Sequence, residues 1–298
     1  MENVHQLRVF GAVAETMSFT RAAQRLFLTQ SAVSHQIAKL ERELGCELVV
    51  REGRGVALTP AGRTLAAQAR RVFSAIESAI DATRNAAHDD RGRLRIGASN
   101  TACQYIIPEA LREFRECFPG YSLSILPGDS PASLEHLLAG TIDLALMLRA
   151  EKHRKVQFHP LFDDELHVVV SALHPCAKAG RIDRRELAKQ QMILYSRGSM
   201  TFRLVERFFG RIQVPLHDWI EVGDLGATKE LVKIGLGVSV MAPWVAAAER
   251  KQGSLVMLPL PGGRLRRHWS IASLVGRTPS IAEETFISLC QAVAAKMG

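Results

Sequence analysis

The sequence predicts a small, mainly helical N-terminal domain that is extended by one long helix and followed by a larger α/β domain. Two patterns predict this arrangement. Apolar residues recur at helical spacing as far as about residue 87, whereas short β-prone runs alternate with helical runs from residue 92 onward. A chain of 298 residues is also too long for one ordinary core and is typical of two or three domains.

The first two predicted helices are short. Apolar residues including Leu7 and Phe10 place one helix at residues 4–16. Ser18 is a suitable N-cap for the next helix, in which small residues such as Ala22 would allow another helix to approach closely.

The third predicted helix carries an unusual outward face. Thr29 is a good N-cap, and Val33, Ile37, Leu40 and Leu44 step by four, three and four residues, which predicts the buried side. The opposite side then carries Ser31, His35, Ala38 and Arg42, flanked by Gln30, Ser34 and Lys39. Short polar side chains at a helix N-terminus suit close approach to base edges and phosphates. A helix, a tight turn and a second helix of this kind predict a helix-turn-helix that enters the major groove of DNA.

A hairpin is predicted next. Two short β-prone runs, at 47–51 and 56–59, surround a glycine-bearing tip at 53–55. Such a wing would bring Arg51 and Arg54 to phosphates or to a neighbouring minor groove. The predicted DNA-binding residues are therefore Thr29, Gln30, Ser31, Ser34, His35, Lys39, Arg51 and Arg54.

A long linker helix is predicted from Pro60 to about residue 87, roughly 40 Å at the usual rise. Thr59 is suited to cap it, and proline is preferred at a first helical position. Alternating steps of four and three define a stripe of Leu65, Ala69, Val72, Ile76, Ala79 and Thr83. This heptad pattern favours packing along a partner helix, although a helix lying on its own domain stays open. Two paired copies would present two recognition helices to a dyad-symmetric DNA site.

Composition narrows the class of protein. Hydrophobic residues make up 47% of the chain without any run of about 18 apolar residues, and the first residues lack an export-signal pattern. We therefore expect a cytoplasmic protein without a membrane partner. The five cysteines have neither CxxC nor zinc-finger spacing, which is typical of reduced thiols. The net charge of +8 permits a polyanionic partner without proving one.

Motifs of catalysis are missing from the sequence. It contains no GxSxG, P-loop or HExxH pattern, and "GLGVS" lacks the context of a dinucleotide site. Its ten histidines form no ligand cluster in the sequence. We therefore expect neither enzyme activity nor a metal or other cofactor.

Residues 7–65 carry a dense resemblance to a known family. They read "LRVFGAVAETMSFTRAAQRLFLTQSAVSHQIAKLERELGCELVVREGRGVALTPAGRTL", which resembles the N-terminal part of LysR-type transcriptional regulators. A looser resemblance continues through "GRLRIGAS", "IIPEALREFRECFPG", "GTIDLALM" and "ELVKIGLGVSVMAPWVA", so it covers nearly the full chain. It places the family's polar recognition positions at Gln30, Ser31, Ser34 and Arg51, whereas many members carry a basic residue where His35 stands.

The resemblance also implies an assembly and a mode of regulation. It implies a homodimer through the linker helix and a homotetramer through the effector-binding domains. A small-molecule co-inducer would alter the closure of two subdomains, and with it DNA bending and the recruitment of RNA polymerase.

The α/β part begins after a charged, glycine-containing boundary. Its β-prone runs lie at 94–98, 122–126, 144–148, 166–170, 192–195 and 238–241, with a helix at 134–138. The resemblance implies two Rossmann-like subdomains, as in periplasmic binding proteins, joined by crossing strands near 160–163 and 263–268. The expected divisions are a winged helix-turn-helix domain at 1–58, a linker at 59–88, and an effector-binding domain at 92–298, with subdomain I at 92–161 and 268–298 and subdomain II at 162–267.

An effector would lie in the cleft between the subdomains, at strand ends and helix N-termini. A cation at Arg149 would pair with an acidic effector, whereas Asp224 would favour an amine, a hydroxyl or a capping role, so the effector's charge is left open. Plain N-capping explains Ser99, Asn100 and Thr101 equally well. The candidate effector-binding residues are Ser99, Asn100, Thr101, Ser130, Arg149, Ser196, Ser199, Thr201 and Asp224.

The sequence thus favours a DNA-binding transcriptional regulator whose output is modulated by a small molecule. Two alternatives stay open at this point. One is an architectural DNA-binding protein without an effector, and the other is an enzyme with an appended DNA-binding domain.

Overall fold

The computed structural model describes residues 2–52, 55–87, 92–149, 153–216 and 219–296. The chain divides into two compact units, the first formed by the residues up to Ala87 and the second by nearly all residues after it. Among the helices that these ranges contain, none is both long and apolar enough to cross a membrane.

The first unit begins with three helices around one apolar core. They are α1 (Glu2–Thr16), α2 (Phe19–Leu26) and α3 (Gln30–Leu44). Ser18 caps α2 by accepting a hydrogen bond from the backbone N–H of Arg21, and Thr29 caps α3 by accepting one from Ala32. The chain leaves α2 through Phe27, whose φ of 56° is left-handed. The three predicted helices and both predicted caps are confirmed.

The buried side of α3 is confirmed at three of its four positions. Val33, Ile37 and Leu40 are buried in the core of the first unit. Leu44 is 50% exposed because it is the last residue of α3, immediately before the left-handed Gly45.

A hairpin and a long helix complete the first unit. Strands β1 (Val49–Glu52) and β2 (Gly55–Leu58) pair antiparallel, which confirms the predicted wing strands to within two residues. Helix α4 (Pro60–Ala87) follows, and Thr59 caps it by accepting a hydrogen bond from the N–H of Gly62 at 2.9 Å. A Cβ at Gly62 would lie 2.0 Å from the carbonyl oxygen of Leu48, so only glycine permits this approach of helix and hairpin.

The residues of the predicted stripe of α4 differ in burial along the helix. Leu65 is half-buried and Ala69 is buried within the first unit. Further along, Val72 and Ile76 are 42% and 38% exposed and Thr83 is exposed, while the side chain of Ala79 lies outside the described structure. The neighbouring Ile80, which was not part of the predicted stripe, is 46% exposed. The first turns of α4 therefore pack on their own unit, whereas the later apolar residues are exposed.

The second unit is an α/β structure. Its helices are α5 (Asn100–Tyr105), α6 (Ile107–Cys117), α7 (Ser130–Leu138), α8 (Pro175–Ala179), α9 (Arg184–Leu187), α10 (Met200–Arg211), α11 (Leu225–Lys233), α12 (Ala247–Lys251) and α13 (Ile281–Ala295). Its strands are β3 (Arg93–Ala98), β4 (Ser122–Pro127), β5 (Leu144–Leu148), β6 (Val156–Ser171), β7 (Met192–Leu194), β8 (Trp219–Glu221), β9 (Ser239–Met241), β10 (Leu255–Leu258) and β11 (Leu265–Leu274).

Two long strands connect the two halves of this unit. The main sheet has the order β10-β6-β11-β5-β3-β4, with β9 also paired to β6, while β7 and β8 form a separate parallel pair. Strands β6 and β11 pair antiparallel along their length, with an irregularity between Trp269 and Ser270. One core surrounds Ile96, Phe114 and Phe286, and another surrounds Val169 and Phe209. The second unit therefore has two subdomain cores, which β6 and β11 connect.

The predicted α/β class and all six β-prone runs are confirmed. The run at 166–170 is part of the longer β6, because this strand extends from one core to the other. The helix expected at 134–138 begins earlier, at Ser130. The exact domain boundaries stay predictions.

Candidate functional sites

One side of α3 presents short polar groups to solvent. Gln30, Ser31 and His35 are exposed and Ser34 is half-buried; these four residues are called the α3 surface. The adjacent Thr29 is exposed but occupied, because its hydroxyl caps α3 and lies 3.0 Å from the Ser31 hydroxyl. The helix therefore offers an amide, two hydroxyls and an imidazole near its N-terminus, where its dipole favours phosphate.

The remaining predicted DNA-binding residues lie beside this surface or outside the described structure. Lys39 is half-buried, one turn beyond His35 on α3. The backbone of Arg51 pairs with Val56 in the wing, but its side chain lies outside the described structure, as does the whole of Arg54.

A cavity of about 320 Å³ in the second unit brings together the starts of four helices. It lies where β3, β4, β5 and β7 end, which is the expected place for a ligand in an α/β sheet. This space is called the cleft cavity. Its lining residues are Ser99, Asn100, Thr101, Pro127, Gly128, Asp129, Ser130, Leu148, Tyr195, Ser196, Ser199, Met200, Thr201, Gly223, Leu225, Arg267 and Trp269.

Several hydroxyls of the cleft cavity already serve the fold. Ser99 caps α5 and Ser199 caps α10, each by accepting a backbone N–H. Ser130 is buried and accepts the N–H of Leu148 at 3.1 Å. Ser196 makes no side-chain hydrogen bond with the rest of the described chain, so its hydroxyl can serve a ligand.

Arg267 and Asp164 form a buried ion pair beside the cleft cavity. Arg267 Nε donates to Asp164 Oδ1 at 2.8 Å, and its Nη2 donates to Oδ2. Asp164 also accepts the indole N–H groups of Trp244 at 2.9 Å and Trp269 at 3.0 Å. Arg267 Nη1 donates to the Thr201 hydroxyl at 3.0 Å. The bidentate pair fixes the guanidinium geometry next to the cavity and cancels most of its charge.

Two further groups of the cavity have shifted acidities. Burial raises the pKa of the Asp129 carboxyl above its usual value, although the nearby Arg203 charge opposes the shift. Burial raises the pKa of the Tyr195 phenol to about 12. Tyr195 therefore remains a neutral hydroxyl at physiological pH, able to donate or accept a hydrogen bond.

Polar contacts also cross the cleft. Asn100 Nδ2 donates to the Gly223 carbonyl at 3.4 Å. The buried Lys229 ammonium contacts Glu249 at 2.7 Å and the Tyr105 hydroxyl at 3.0 Å. Burial alone would lower the pKa of Lys229, but its hydrogen bonds to Glu249 and Tyr105 raise it above the usual value. These contacts join α5 to elements of the other subdomain core.

The structure brings seven of the nine predicted effector residues to the cleft cavity: Ser99, Asn100, Thr101, Ser130, Ser196, Ser199 and Thr201. Arg149 does not line it; its side chain is exposed and lies over Phe158, because it is the next residue after Leu148 in an extended chain. Asp224 does not line it either; its carboxylate caps α11 by accepting the Ala227 N–H at 2.7 Å.

Sequence reasoning missed Asp129, Arg267 and Trp269. The alternation of side chains along a strand could have indicated Arg267 and Trp269, because these two residues and Leu265 occupy every second position of β11 and are all buried. Across the described ranges, no group of three or more His, Cys, Asp or Glu side chains is arranged to hold a metal ion.

Comparison with known proteins defines the class. Residues 4–63 match the family model of the bacterial regulatory helix-turn-helix protein, lysR family, and residues 87–295 match that of the LysR substrate binding domain. The chain belongs to the LysR family of transcriptional regulators.

Individual relatives extend over nearly the whole chain. The HTH-type transcriptional activator CmpR of Synechocystis sp. is 31% identical over 95% of this chain and 93% of its own. The RuBisCO operon transcriptional regulator of Allochromatium vinosum is 30% identical over 99% of this chain and 97% of its own. A full-length OxyR variant from Pseudomonas aeruginosa superposes with a TM-score of 0.68 at 25% identity, covering 98% of this chain and 94% of that one.

Proposed function

We propose that this regulator binds operator DNA with its α3 surface and that a small molecule in the cleft cavity modulates this binding. The first part is supported by the exposed amide, hydroxyl and imidazole groups at the start of α3. Gln30 would read base edges, while Ser31, Ser34 and His35 would contact bases or phosphates. Thr29 would contribute through its backbone and cap, and Lys39, Arg51 and Arg54 would contact phosphates.

The protein would act as a dimer or larger assembly. Val72, Ile76 and Ile80 form an exposed apolar stripe on α4, which supports pairing with α4 of a second copy. A dimer would present two α3 helices to a dyad-symmetric operator. CbnR, a full-length regulator that shares this fold, has been crystallised in a complex with its target DNA. Tetramer formation, contact with RNA polymerase and a cytoplasmic location are part of the same proposal.

The convergence of four helix starts on one cavity carries the effector part of the proposal. A cavity of about 320 Å³ suits a small metabolite rather than a large cofactor. Its lining offers Tyr195, Ser196, Thr101 and the Asn100 amide for hydrogen bonds, with Trp269 as an apolar wall. Asp129 carries the one charge of the cavity lining that has no ion-pair partner in the described structure, because the charge of Arg267 is paired with Asp164. These groups favour a polyhydroxylated or amine-bearing effector over a simple carboxylate.

Regulation requires that the effector bind one state of the subdomains more tightly than another. The contacts of Asn100 with Gly223 and of Lys229 with Tyr105 cross between the two cores, so a ligand that changes their geometry would change subdomain closure. The effector would then stabilise one closure state of the subdomains, and this state would favour one arrangement of the DNA-binding units.

The test begins with the purified full-length protein. Native mass spectrometry would identify a retained small molecule, and a metabolite library would be screened by thermal shift. Each hit would be titrated against the wild type, Ser196→Leu, which narrows the cavity, and Ser288→Leu, an exposed serine on α13, as the matched control. We expect Ser196→Leu alone to weaken binding at least tenfold and to abolish the ligand's effect on affinity for an operator selected from random duplexes.

Three results would contradict this proposal. If no compound in a broad library stabilises the protein, an architectural DNA-binding role is favoured. Chemical conversion of a bound compound by the purified protein would favour an enzyme with a DNA-binding domain. Equal effects of the two serine variants would move the effector site away from the cleft cavity.

A further inference from the structure

A second cavity of the effector-binding unit is lined by arginines. It has a volume of about 960 Å³ and shares Leu148, Met200 and Arg267 with the cleft cavity. Four further arginines line only this second space, which is called the arginine cavity: Arg149, Arg203, Arg207 and Arg266.

Three separate elements supply these four side chains. Arg149 follows β5, whereas Arg203 and Arg207 are one turn apart on α10. Arg266 lies on β11, where it alternates with the inward-facing Arg267. The backbone N–H of Arg149 donates to the carbonyl of His268 at 2.7 Å, so the end of β5 is held against β11. The cluster is thus anchored to the fold rather than to a single loop.

These arginines lack carboxylate partners in the described structure. The guanidinium of Arg149 lies 5.9 Å from the centre of the Phe158 ring, and Arg207 Nε donates to the backbone oxygen of Arg203 at 3.3 Å. Burial raises the pKa of Asp129 and the charge of Arg203 opposes that rise, but the two side chains form no ion pair. Arg266 likewise forms no ion pair with another described residue.

The acidic groups nearby are few and mostly occupied. Asp164 is paired with Arg267, Glu165 lies 3.5 Å from Arg264, and Asp163 lies 2.7 Å from His268. Among the lining residues, only Glu206 carries a negative charge. The arginine cavity therefore concentrates positive charge that the fold does not neutralise.

Such a cluster has an energetic cost in the unliganded protein. Like charges one helical turn apart, as at Arg203 and Arg207, destabilise a helix, and Arg149 and Arg266 add to the same field. A bound anion would remove this repulsion. The guanidinium fork matches the oxygens of phosphate in a bidentate geometry, which an ammonium group does not.

We propose that the arginine cavity binds a small molecule that carries two or more phosphate groups. Its volume is suited to a ligand larger than one inorganic phosphate. The arginines meet around a concave space from a strand end, a helix and a second strand. The site shares three lining residues with the cleft cavity, but its other four arginines lie outside the lining of the cleft, so this proposal does not rest on an effector bound there.

Ligands of the two cavities would influence each other. Arg267 lines both spaces and is fixed by Asp164, and Trp269 beside it lines the cleft cavity. An anion that forms an ion pair with the guanidinium of Arg267 would therefore change the environment of Trp269. Tryptophan fluorescence provides a readout of binding in the arginine cavity without any knowledge of the cleft ligand.

The experiment titrates the full-length protein with tripolyphosphate, ATP and inorganic phosphate by calorimetry and tryptophan fluorescence. EDTA is present, and ionic strength is held constant with sodium chloride. We expect tripolyphosphate and ATP to bind saturably, once per chain, and inorganic phosphate to bind at least tenfold more weakly. Tighter binding of ATP than of tripolyphosphate would support an organic ligand, and equal binding would support recognition of phosphate groups alone.

Two double variants locate the site. Arg203→Gln with Arg266→Gln should weaken tripolyphosphate binding at least tenfold. Arg185→Gln with Arg250→Gln, which removes the same charge from exposed positions on α9 and α12, should change it less than twofold. Arg207→Gln alone provides a milder variant, and the melting temperature and far-UV circular dichroism of each variant are measured first to confirm that it folds.

Several outcomes would overturn the proposal. The first is that tripolyphosphate does not bind saturably at millimolar concentration. The second is that the two double variants lose equal amounts of affinity for tripolyphosphate. A weaker affinity of the Arg203/Arg266 variant for random-sequence DNA, with a shallower salt dependence, would instead make the arginines a DNA contact. A changed oligomeric state of that variant in sedimentation velocity would make them part of a protein interface. Since none of these measurements needs a cleft ligand, failure of the proposed effector site leaves this test intact.

Discussion

Replacing Asp164 by Asn tests the buried hub beside the cleft cavity. The side chain keeps its size but loses its charge, while Arg267 is only 3% exposed and has no other carboxylate partner in the described structure. Removing one member of a buried ion pair leaves an uncompensated charge and costs about 3–5 kcal/mol. For a domain of this size, this loss lowers the melting temperature by roughly 6–20 °C.

The assay uses urea unfolding of the full-length chain followed by tryptophan fluorescence. All three tryptophans, Trp219, Trp244 and Trp269, lie in the second unit, so the signal reports on that unit alone. Removing both charges, with Asp164→Asn and Arg267→Met together, should recover a large part of the loss, because no charge is then buried alone. A loss below about 1 kcal/mol for Asp164→Asn, or additive effects within about 0.5 kcal/mol, would refute the reasoning.

Four further predictions concern other parts of the molecule. Gln30→Ala should weaken binding to a selected operator by about 1–3 kcal/mol while leaving affinity for scrambled DNA unchanged in anisotropy titrations; equal losses on both would exclude a base contact. Ile76→Glu should weaken self-association by roughly 3 kcal/mol or more in sedimentation equilibrium, because it places a charge in an apolar stripe of both copies; an unchanged dimer would place the interface elsewhere. Phe27→Asn should raise the stability of the first unit by about 1 kcal/mol, since Phe27 is 96% exposed and left-handed; circular dichroism during urea unfolding would measure this, and a loss would reveal packing of the ring. Asp129→Asn should flatten the pH dependence of the second unit's stability. Because burial raises the pKa of Asp129 in the folded protein, stability falls as pH rises from the ordinary carboxyl range through the raised value, and an identical pH profile for the variant would contradict this.

The DNA-binding half could be predicted from sequence because its signals are local. The spacing of Val33, Ile37 and Leu40 defines the buried side of α3, and Thr29 caps it within three residues. The exposed side of α3 then follows from helical geometry. Leu44 departs from the pattern only because α3 ends there. No long-range contact was needed to place the α3 surface.

The cleft cavity was only partly predictable because its charged groups depend on pairing between distant strands. Serines and threonines that follow strands were placed correctly, since helix starts at strand ends are a local feature. Arg267 becomes a buried residue through Asp164, which lies 103 positions away on β6. Arg149 follows a strand as expected, but its side chain points away from the cleft because successive residues of an extended chain face opposite ways. On β11, the pairing of this strand with β6 decides whether Arg266 or the adjacent Arg267 is buried beside the cleft cavity.

Register also explains why one strand can serve two cavities. Along β11, Leu265, Arg267 and Trp269 are buried, while Arg266 and His268 are exposed toward the arginine cavity. A slip of one residue against β6 would exchange these two sets and bury the wrong cation. The register that is observed sets Arg267 opposite Asp164, the one carboxylate of the run 163–165 that is itself buried. A one-residue slip would set Arg266 or His268 opposite Asp164 in place of Arg267, so the hydrogen bonds of Arg267 with Asp164 and Thr201 would be lost. The ion pair therefore favours the observed alignment of the crossing strands, which places the neutralised Arg267 beside the cleft cavity and Arg266 in the arginine cavity.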